Sequence, residues 1–311
     1  MSFVERAVKL AQAQAKEKQK EVQTASTVGG AASPSHEAAG HAAAHPLTRG
    51  DKPVVAIDFA RLRELGRWPP EKFERQMREE IRRIKWPLLQ AIRSAADPAR
   101  PLHNSVQITS ALPGEGKSFI ALMLALSIVR DRELRVVLVD GDVARPGLTP
   151  ALSLDDRPGL IELLDNHELD ISDVTYPTDV QGLHFIPSGV WHERSSELFA
   201  STRMPDVLGD LTQRLGRGVV VVDSPPLLAT NEAQVLTRYV GQVVLVVRAD
   251  VTEHRAIREA VALIDGGAET SAVLNGVRPS IFGRYYGEFA YGYGEAGERD
   301  ASQADRSMPG A

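Results

Sequence analysis

The sequence predicts an α/β protein with a mainly parallel β-sheet and helices on both faces. Three observations predict it. Six short β-rich apolar runs alternate with helix-length segments along the chain after residue 100, the pattern of strand–crossover–strand units. Those runs are near-continuous Val, Leu and Ile rather than alternating, as in strands covered on both sides. The first run enters a Gly-rich turn and then a helix, and two later runs end in aspartate.

Taken in order, residues 1–22 carry apolar residues at Phe3, Val4, Ala7, Val8 and Ala11, an amphipathic helix pattern. Residues 23–55 are rich in Ala, Ser, Gly, Pro and His and are expected to be a disordered linker. His41 and His45 have helical spacing there, but the composition argues against a metal site. Residues 56–70, AIDFARLRELGRWPP, read as a short anchored segment ending at a proline pair, and EKFERQMREEIRRIKWPLLQAIRSA as a strongly charged helix. The expected strands are SVQITSA (105–111), RVVLVD (135–140), LHFIPS (183–188), GVVVVD (218–223), QVVLVV (242–247) and SAVLNG (271–276). Helices are expected at 117–130, 204–215, 231–239 and 252–265. The main domain is therefore placed at 56–280, with a flexible tail at 281–311. No internal repeat is found.

Bulk composition narrows the function. A net charge of −5 argues against a nucleic-acid protein. With no cysteine, disulfides and cysteine-based zinc sites are excluded, and a cytoplasmic setting fits. The N-terminus lacks a signal-peptide core, and the longest apolar run, FIALMLALSIV, is about half a membrane span. A soluble chain is expected, with membrane association only through a partner.

The segment Ala111–Ser118, A-x-x-x-x-G-K-S between strand and helix, is a P-loop with Ala in place of the usual first Gly. Gly114 and Gly116 let backbone N–H groups turn onto phosphate oxygens, and the helix N-terminus adds positive potential. Lys117 is expected to contact the β- and γ-phosphates and Ser118 to ligate Mg²⁺. The nucleotide-binding set is Pro113, Gly114, Glu115, Gly116, Lys117, Ser118 and Phe119. VVLVDGDVARP ends its strand with Asp140 and Asp142, on one face if extended, and GVVVVDSPP ends in Asp223, a Walker B position. In an open α/β sheet, carboxylates at strand C-termini fall beside the ligand crevice. One of Asp140 and Asp142 can hold the metal with Asp223, which frees the other to accept a proton from an attacking hydroxyl. A phenol has a pKa of about 10 and gains from such a base.

The chain supplies phenols itself. RYYGEFAYGYGE, residues 284–295, holds four of the six tyrosines, Tyr285, Tyr286, Tyr291 and Tyr293, interleaved with glycines that weaken helix and strand. Extended from Asn275, Tyr285 can reach roughly 33–36 Å and Tyr293 on the order of 60 Å. That is far enough for a neighbouring subunit's site.

These motifs, in this order, resemble the bacterial tyrosine kinases (BY-kinases) of exopolysaccharide and capsule synthesis, a P-loop NTPase family. The match runs from about residue 75 to 295: SALPGEGKS, VVLVDGDVARPGL, PGLIELL, VVVVDSPPLLATNEA and the tyrosine cluster. SFVERAVKLAQ followed by low complexity looks most like the exosortase-associated branch. The resemblance implies a non-specific protein-tyrosine kinase using ATP and Mg²⁺. Asp140 would be its base, Asp142 and Asp223 would organise the metal, and the four tail tyrosines would be autophosphorylated in trans. It also implies ring-shaped homo-oligomers joined through an E-x-x-R-x-x-R helix, matched here by Glu79, Arg82 and Lys85, or by Arg83 in place of the last. Expected partners are a tyrosine phosphatase and a membrane polysaccharide co-polymerase whose cytoplasmic tail activates the kinase at the inner membrane face. The second Walker motif departs from the family pattern, with Arg145 three residues after Asp142. An Asn at the place of Asn275 contacts adenine in related P-loop proteins.

Two other readings compete. A ParA/MinD-like ATPase switch would carry an extra lysine early in the P-loop, where this chain has Leu112. A non-catalytic, nucleotide-bound regulator would not need Lys117, Asp140, Asp142 and Asp223 together.

Overall fold

The computed structural model describes residues 46–94, 102–131, 133–199, 201–265 and 267–277. The expected helix at 1–22, most of the linker and the tail tyrosines lie outside the described residues. The chain divides into units 1–275 and 276–311, and only Gly276 and Val277 of the second are described.

All six expected strands form. They are β1 (Ser105–Ser110), β2 (Arg135–Asp140), β4 (Leu183–Ile186), β5 (Gly218–Asp223), β6 (Gln242–Arg248) and β7 (Glu269–Asn275), joined by an unanticipated two-residue β3 (Tyr176–Pro177). The sheet order is β3-β4-β2-β5-β1-β6-β7. Every pairing is parallel except β3 with β4. The chain leaves β1 for β2 and β4, returns to insert β5 beside β1, and then adds β6 and β7 on the other side.

The Val-rich runs are explained by cover on both faces. Val136, Leu138, Val219, Val221, Val244 and Val246 pack with α3 (Lys117–Ile128) and α2 (Glu71–Ser94). Val137, Val139, Val220, Val222 and Val243 face α4 (Leu160–Asp165) and α7 (Arg203–Leu215) instead. Helix α3 is buried on almost every side, so its sequence is apolar throughout. The remaining helices are α1 (Phe59–Glu64), α5 (Ile171–Val174), α6 (Ser195–Phe199), α8 (Asn231–Leu236) and α9 (His254–Ala262).

The expected linker boundary at residue 55 is too late. Leu47, Val55 and Ile57 are buried. Val55 forms a bridge with Thr178, donating to Pro177 O (2.8 Å) and accepting from Asp179 N (3.0 Å). Lys52 lies over the Tyr176 ring, 4.5 Å from its centroid. These partners are more than 100 residues away in sequence, so local composition could not reveal the ordering.

Lys85, expected at a subunit interface, belongs to the chain's own core. An i, i+3, i+6 series drifts about 60° per step around a helix of 3.6 residues per turn. Glu79 and Arg82 therefore stay exposed and pair with each other at 3.3 Å, while Lys85 turns inward with Ile81, Leu88 and Leu89. Its ammonium donates to Ser127 O (3.2 Å) and to the Asp131 carboxylate (3.2 Å). It thereby satisfies a carbonyl in the last turn of α3.

Candidate functional site

Gly114 (φ 79°) and Gly116 (φ 98°) both adopt left-handed backbone, which carries the chain from β1 around into α3. The backbone N–H groups of Gly114, Gly116, Lys117 and Ser118 have no acceptor among the described residues. Donors gathered at a helix N-terminus in this way form an anion site. Pro113 is exposed at the crest of the loop, whereas the Phe119 ring packs against the core and leaves only backbone to the site.

Glu115 holds the loop in place. Its carboxylate accepts from Leu112 N (2.7 Å) and from the Thr252 hydroxyl, and its carbonyl accepts from Asn275 Nδ2 (2.9 Å). A Cβ on Gly116 would sit 2.1 Å from Asn275 Nδ2, so glycine is needed there for close approach as well as for φ. Asn275, at the C-terminal end of β7, is thus against the loop, with an amide N–H engaged by it.

The three aspartates converge at the C-terminal edge of the sheet. Asp140 and Asp223 are register partners on adjacent strands, and Gly141 N–H donates to Asp223 O at 2.7 Å. Asp140 Oδ2 accepts three hydrogen bonds, from Leu148 N (3.0 Å), Thr149 N (2.7 Å) and Thr149 Oγ1 (2.8 Å). Its Oδ1 makes no well-formed hydrogen bond with a described residue, nor does either oxygen of Asp223, although the Asp142 backbone N–H lies close to the Asp140 carboxylate. Asp142 Oδ2 is 4.0 Å from Lys117 Nζ, and both side chains are largely buried. Arg145 is exposed, and its backbone N–H donates back to Asp142.

Burial raises the pKa of all three carboxyls. For Asp223 the negative charge of Asp140 adds to the rise; the Ser118 hydroxyl is near enough to oppose it without forming a well-made hydrogen bond. Three carboxyls in a poorly solvated space, two of them (Asp140 and Asp223) with oxygens that no described residue engages, repel one another. Together with a serine hydroxyl they form an all-oxygen donor set suited to a hard cation such as Mg²⁺.

The structure therefore brings together Lys117, Ser118, Asp140, Asp142, Asp223 and Asn275, all expected from sequence. Thr149 and Thr252 were not expected. Each acts through a tertiary hydrogen bond to a site residue, and no motif marks either.

No protein-family model matches the chain. Tyrosine-protein kinase Ptk of Acinetobacter johnsonii is 32% identical over 167 residues, covering 54% of this chain and 22% of Ptk. Tyrosine-protein kinase YwqD of Bacillus subtilis is 30% identical over 183 residues, covering 58% of this chain and 76% of YwqD. The solved BceF tyrosine kinase domain is 32% identical with a TM-score of 0.56, over 65% of this chain and 78% of that domain. Of the longer curated relatives, Ptk among them, the chain spans about a quarter of the length. A phosphate loop, carboxylates from adjacent strands and these likenesses in both sequence and structure lead to one conclusion: the chain belongs to the bacterial tyrosine kinase family.

Proposed function

We propose that the chain is an ATP-dependent protein-tyrosine autokinase that phosphorylates Tyr285, Tyr286, Tyr291 and Tyr293 in trans and regulates exopolysaccharide polymerisation and export. The observation that carries this reading is the asymmetry of Asp140. Three donors hold one carboxylate oxygen, and the other makes no well-formed hydrogen bond with a described residue, at the strand end it shares with Asp223. A base so oriented accepts the phenolic proton on Oδ1 while the phenol oxygen bonds to the terminal phosphorus and ADP leaves. Lys117 and the loop N–H groups hold the phosphates. Ser118, Asp142 and Asp223 would hold Mg²⁺, which when bound neutralises phosphate charge.

Partners and setting belong to the same proposal. Among the described residues no helix is long and apolar enough to cross a membrane. Recruitment to the inner membrane face by a co-polymerase with an activating cytoplasmic tail, and reversal by a tyrosine phosphatase, complete the cycle. Ring contacts of the chain with itself would use exposed Glu79 and Arg82 without Lys85. The exosortase-associated branch is the setting proposed for it.

The test is incubation of the full chain with ATP and Mg²⁺, with and without a candidate co-polymerase tail, followed by mapping of phosphotyrosine by mass spectrometry. Phosphate on residues 285–293 is expected, and a kinase-dead chain mixed with a tail-deleted active chain should become labelled. ATP turnover without phosphotyrosine in either condition would replace this reading with that of an ATPase switch.

A further inference from the structure

Arg67 lies outside every motif, yet the fold delivers its guanidinium to the phosphate loop. Helix α1 is tied to the loop that follows Asp142, because Arg61 donates to Pro150 O (3.0 Å) and to the Ser153 hydroxyl. After α1 the chain turns sharply at Gly66 (φ 67°), and the N–H groups of Arg67 and Trp68 both donate to Leu62 O, at 2.7 and 3.1 Å. Trp68 is buried, packs against Phe59 with ring centroids 4.6 Å apart and the rings tilted by 52°, and donates from its indole to Glu74 (3.0 Å). The backbone around residue 67 is therefore held from both sides.

The Arg67 side chain ends in a small space shared with Gly147 and Ser118. A Cβ added to Gly147 would lie 2.5 Å from Ser118 Oγ and 3.2 Å from Arg67 Nη2. The guanidinium and the Ser118 hydroxyl can be no farther apart than those two distances combined. Only a residue without a side chain leaves this space open. Arg67 is half-buried, and its guanidinium makes no hydrogen bond or ion pair with any described residue. The half-buried arginines elsewhere are used: Arg63 on Glu74, Arg203 on Leu163 O and Arg214 on Asp170. A guanidinium has five donors in a planar fork and no way to lose its charge, so a fixed and partly desolvated one is completed by an anion.

Sheet order indicates which part of the nucleotide that anion is. Asn275 approaches the loop from the β6–β7 side of β1, while Asp140, Asp142, Gly147 and Arg67 approach from the β5–β2 side. With Asp140 as the proposed base, the latter is the phosphoryl-acceptor side. We infer that Arg67 is a phosphate-binding residue supplied in cis by the segment ahead of the sheet, contacting the terminal phosphate of ATP. The inference rests on the nucleotide-site reading above. It makes residues 46–70 part of the reaction centre, with a fork that neutralises charge on the transferring group independently of Lys117.

The experiment is titration of the full chain with ADP and with a non-hydrolysable ATP analogue, each with Mg²⁺, for wild type, Arg67→Ala and Arg67→Lys. Arg67→Ala is expected to weaken the ATP analogue about tenfold, the worth of one charged hydrogen bond, with ADP unchanged within about twofold. Arg67→Lys should fall between, keeping the charge but losing the fork. Nucleotide-free melting should not move, because the guanidinium has no partner to lose. Equal loss for both nucleotides, or no loss for either, overturns the role of Arg67 while leaving the nucleotide site standing. Failure of the wild type to bind either nucleotide would remove the nucleotide-site reading as well.

Discussion

Lys85 and Lys117 are equally buried, each at 8% exposure, and they differ in one respect. Lys85 spends its charge inside the chain, on Asp131 and on a helix-terminal carbonyl. Among the described residues the nearest acid to Lys117 is at 4.0 Å, and none makes a hydrogen bond with its ammonium. Burying a cation costs several kcal/mol unless it is paired and hydrogen-bonded. One lysine meets that cost with residues of its own chain. The other sits where a ligand would meet it. Burial and charge alone do not distinguish a structural lysine from a functional one; satisfaction does.

The largest expected effect comes from Lys117→Met. Phosphotyrosine formation should fall by at least about 100-fold, the scale of losing one electrostatic clamp on a developing charge. Its melting temperature without nucleotide should hold or rise, because only the 4.0 Å contact with Asp142 is lost while the cost of burying an unsatisfied cation is relieved. A large drop in melting temperature would show that Lys117 is structural as well.

Lys85→Met should do the reverse. Asp131 is half-exposed and can be rehydrated, so a loss of about 1 kcal/mol is expected rather than the full cost of stranding a buried charge. That corresponds to roughly 2–4 °C in melting temperature. Nucleotide affinity should be unchanged. Calorimetry and nucleotide titration on the same samples separate the two lysines.

The smallest effect sharpens the same point at a purely structural ion pair. Arg214 binds Asp170 (2.5 Å) and Asp210 (2.8 Å) and holds the Asp170 carboxyl well below its usual range. A depressed folded-state pKa stabilises above the unfolded value near 4 and is lost as pH falls through the folded one. Asp170 is more than a third exposed, so the pair is worth about 0.5–1 kcal/mol at neutral pH. Asp170→Asn should melt below wild type at pH 7, and the gap should narrow as pH falls below 4. A gap that is constant with pH would show that the ion pair contributes nothing.

Much of the site was legible because its chemistry is local. A P-loop needs consecutive residues to wrap a phosphate, and a strand run of Val ending in Asp reports its own burial and its end. Other features were not local. β3 is only two residues long, too short for a periodic pattern, and forms by pairing antiparallel with β4. Residues 46–57 carry no periodic pattern, and partners such as Asp173, Pro177, Thr178 and Asp179 lie more than 100 residues on, around the edge strand β3. Lys85 matched a linear pattern, but three-residue spacing does not stay on one helix face.

The parallel sheet, the phosphate loop and the identity of the three acids were legible in the amino-acid order, because each is written in contiguous residues and their periodicity. Tertiary structure alone decided that Thr149 would hold one oxygen of Asp140 and that Lys85 would face inward. It also decided that Arg67, from a segment without a motif, would end beside Gly147 and near Ser118. Each of these depends on which surfaces meet when the sheet is wound and the N-terminal segment docks on it. Such long-range contacts are set by packing between residues far apart in the chain, and linear spacing does not encode them.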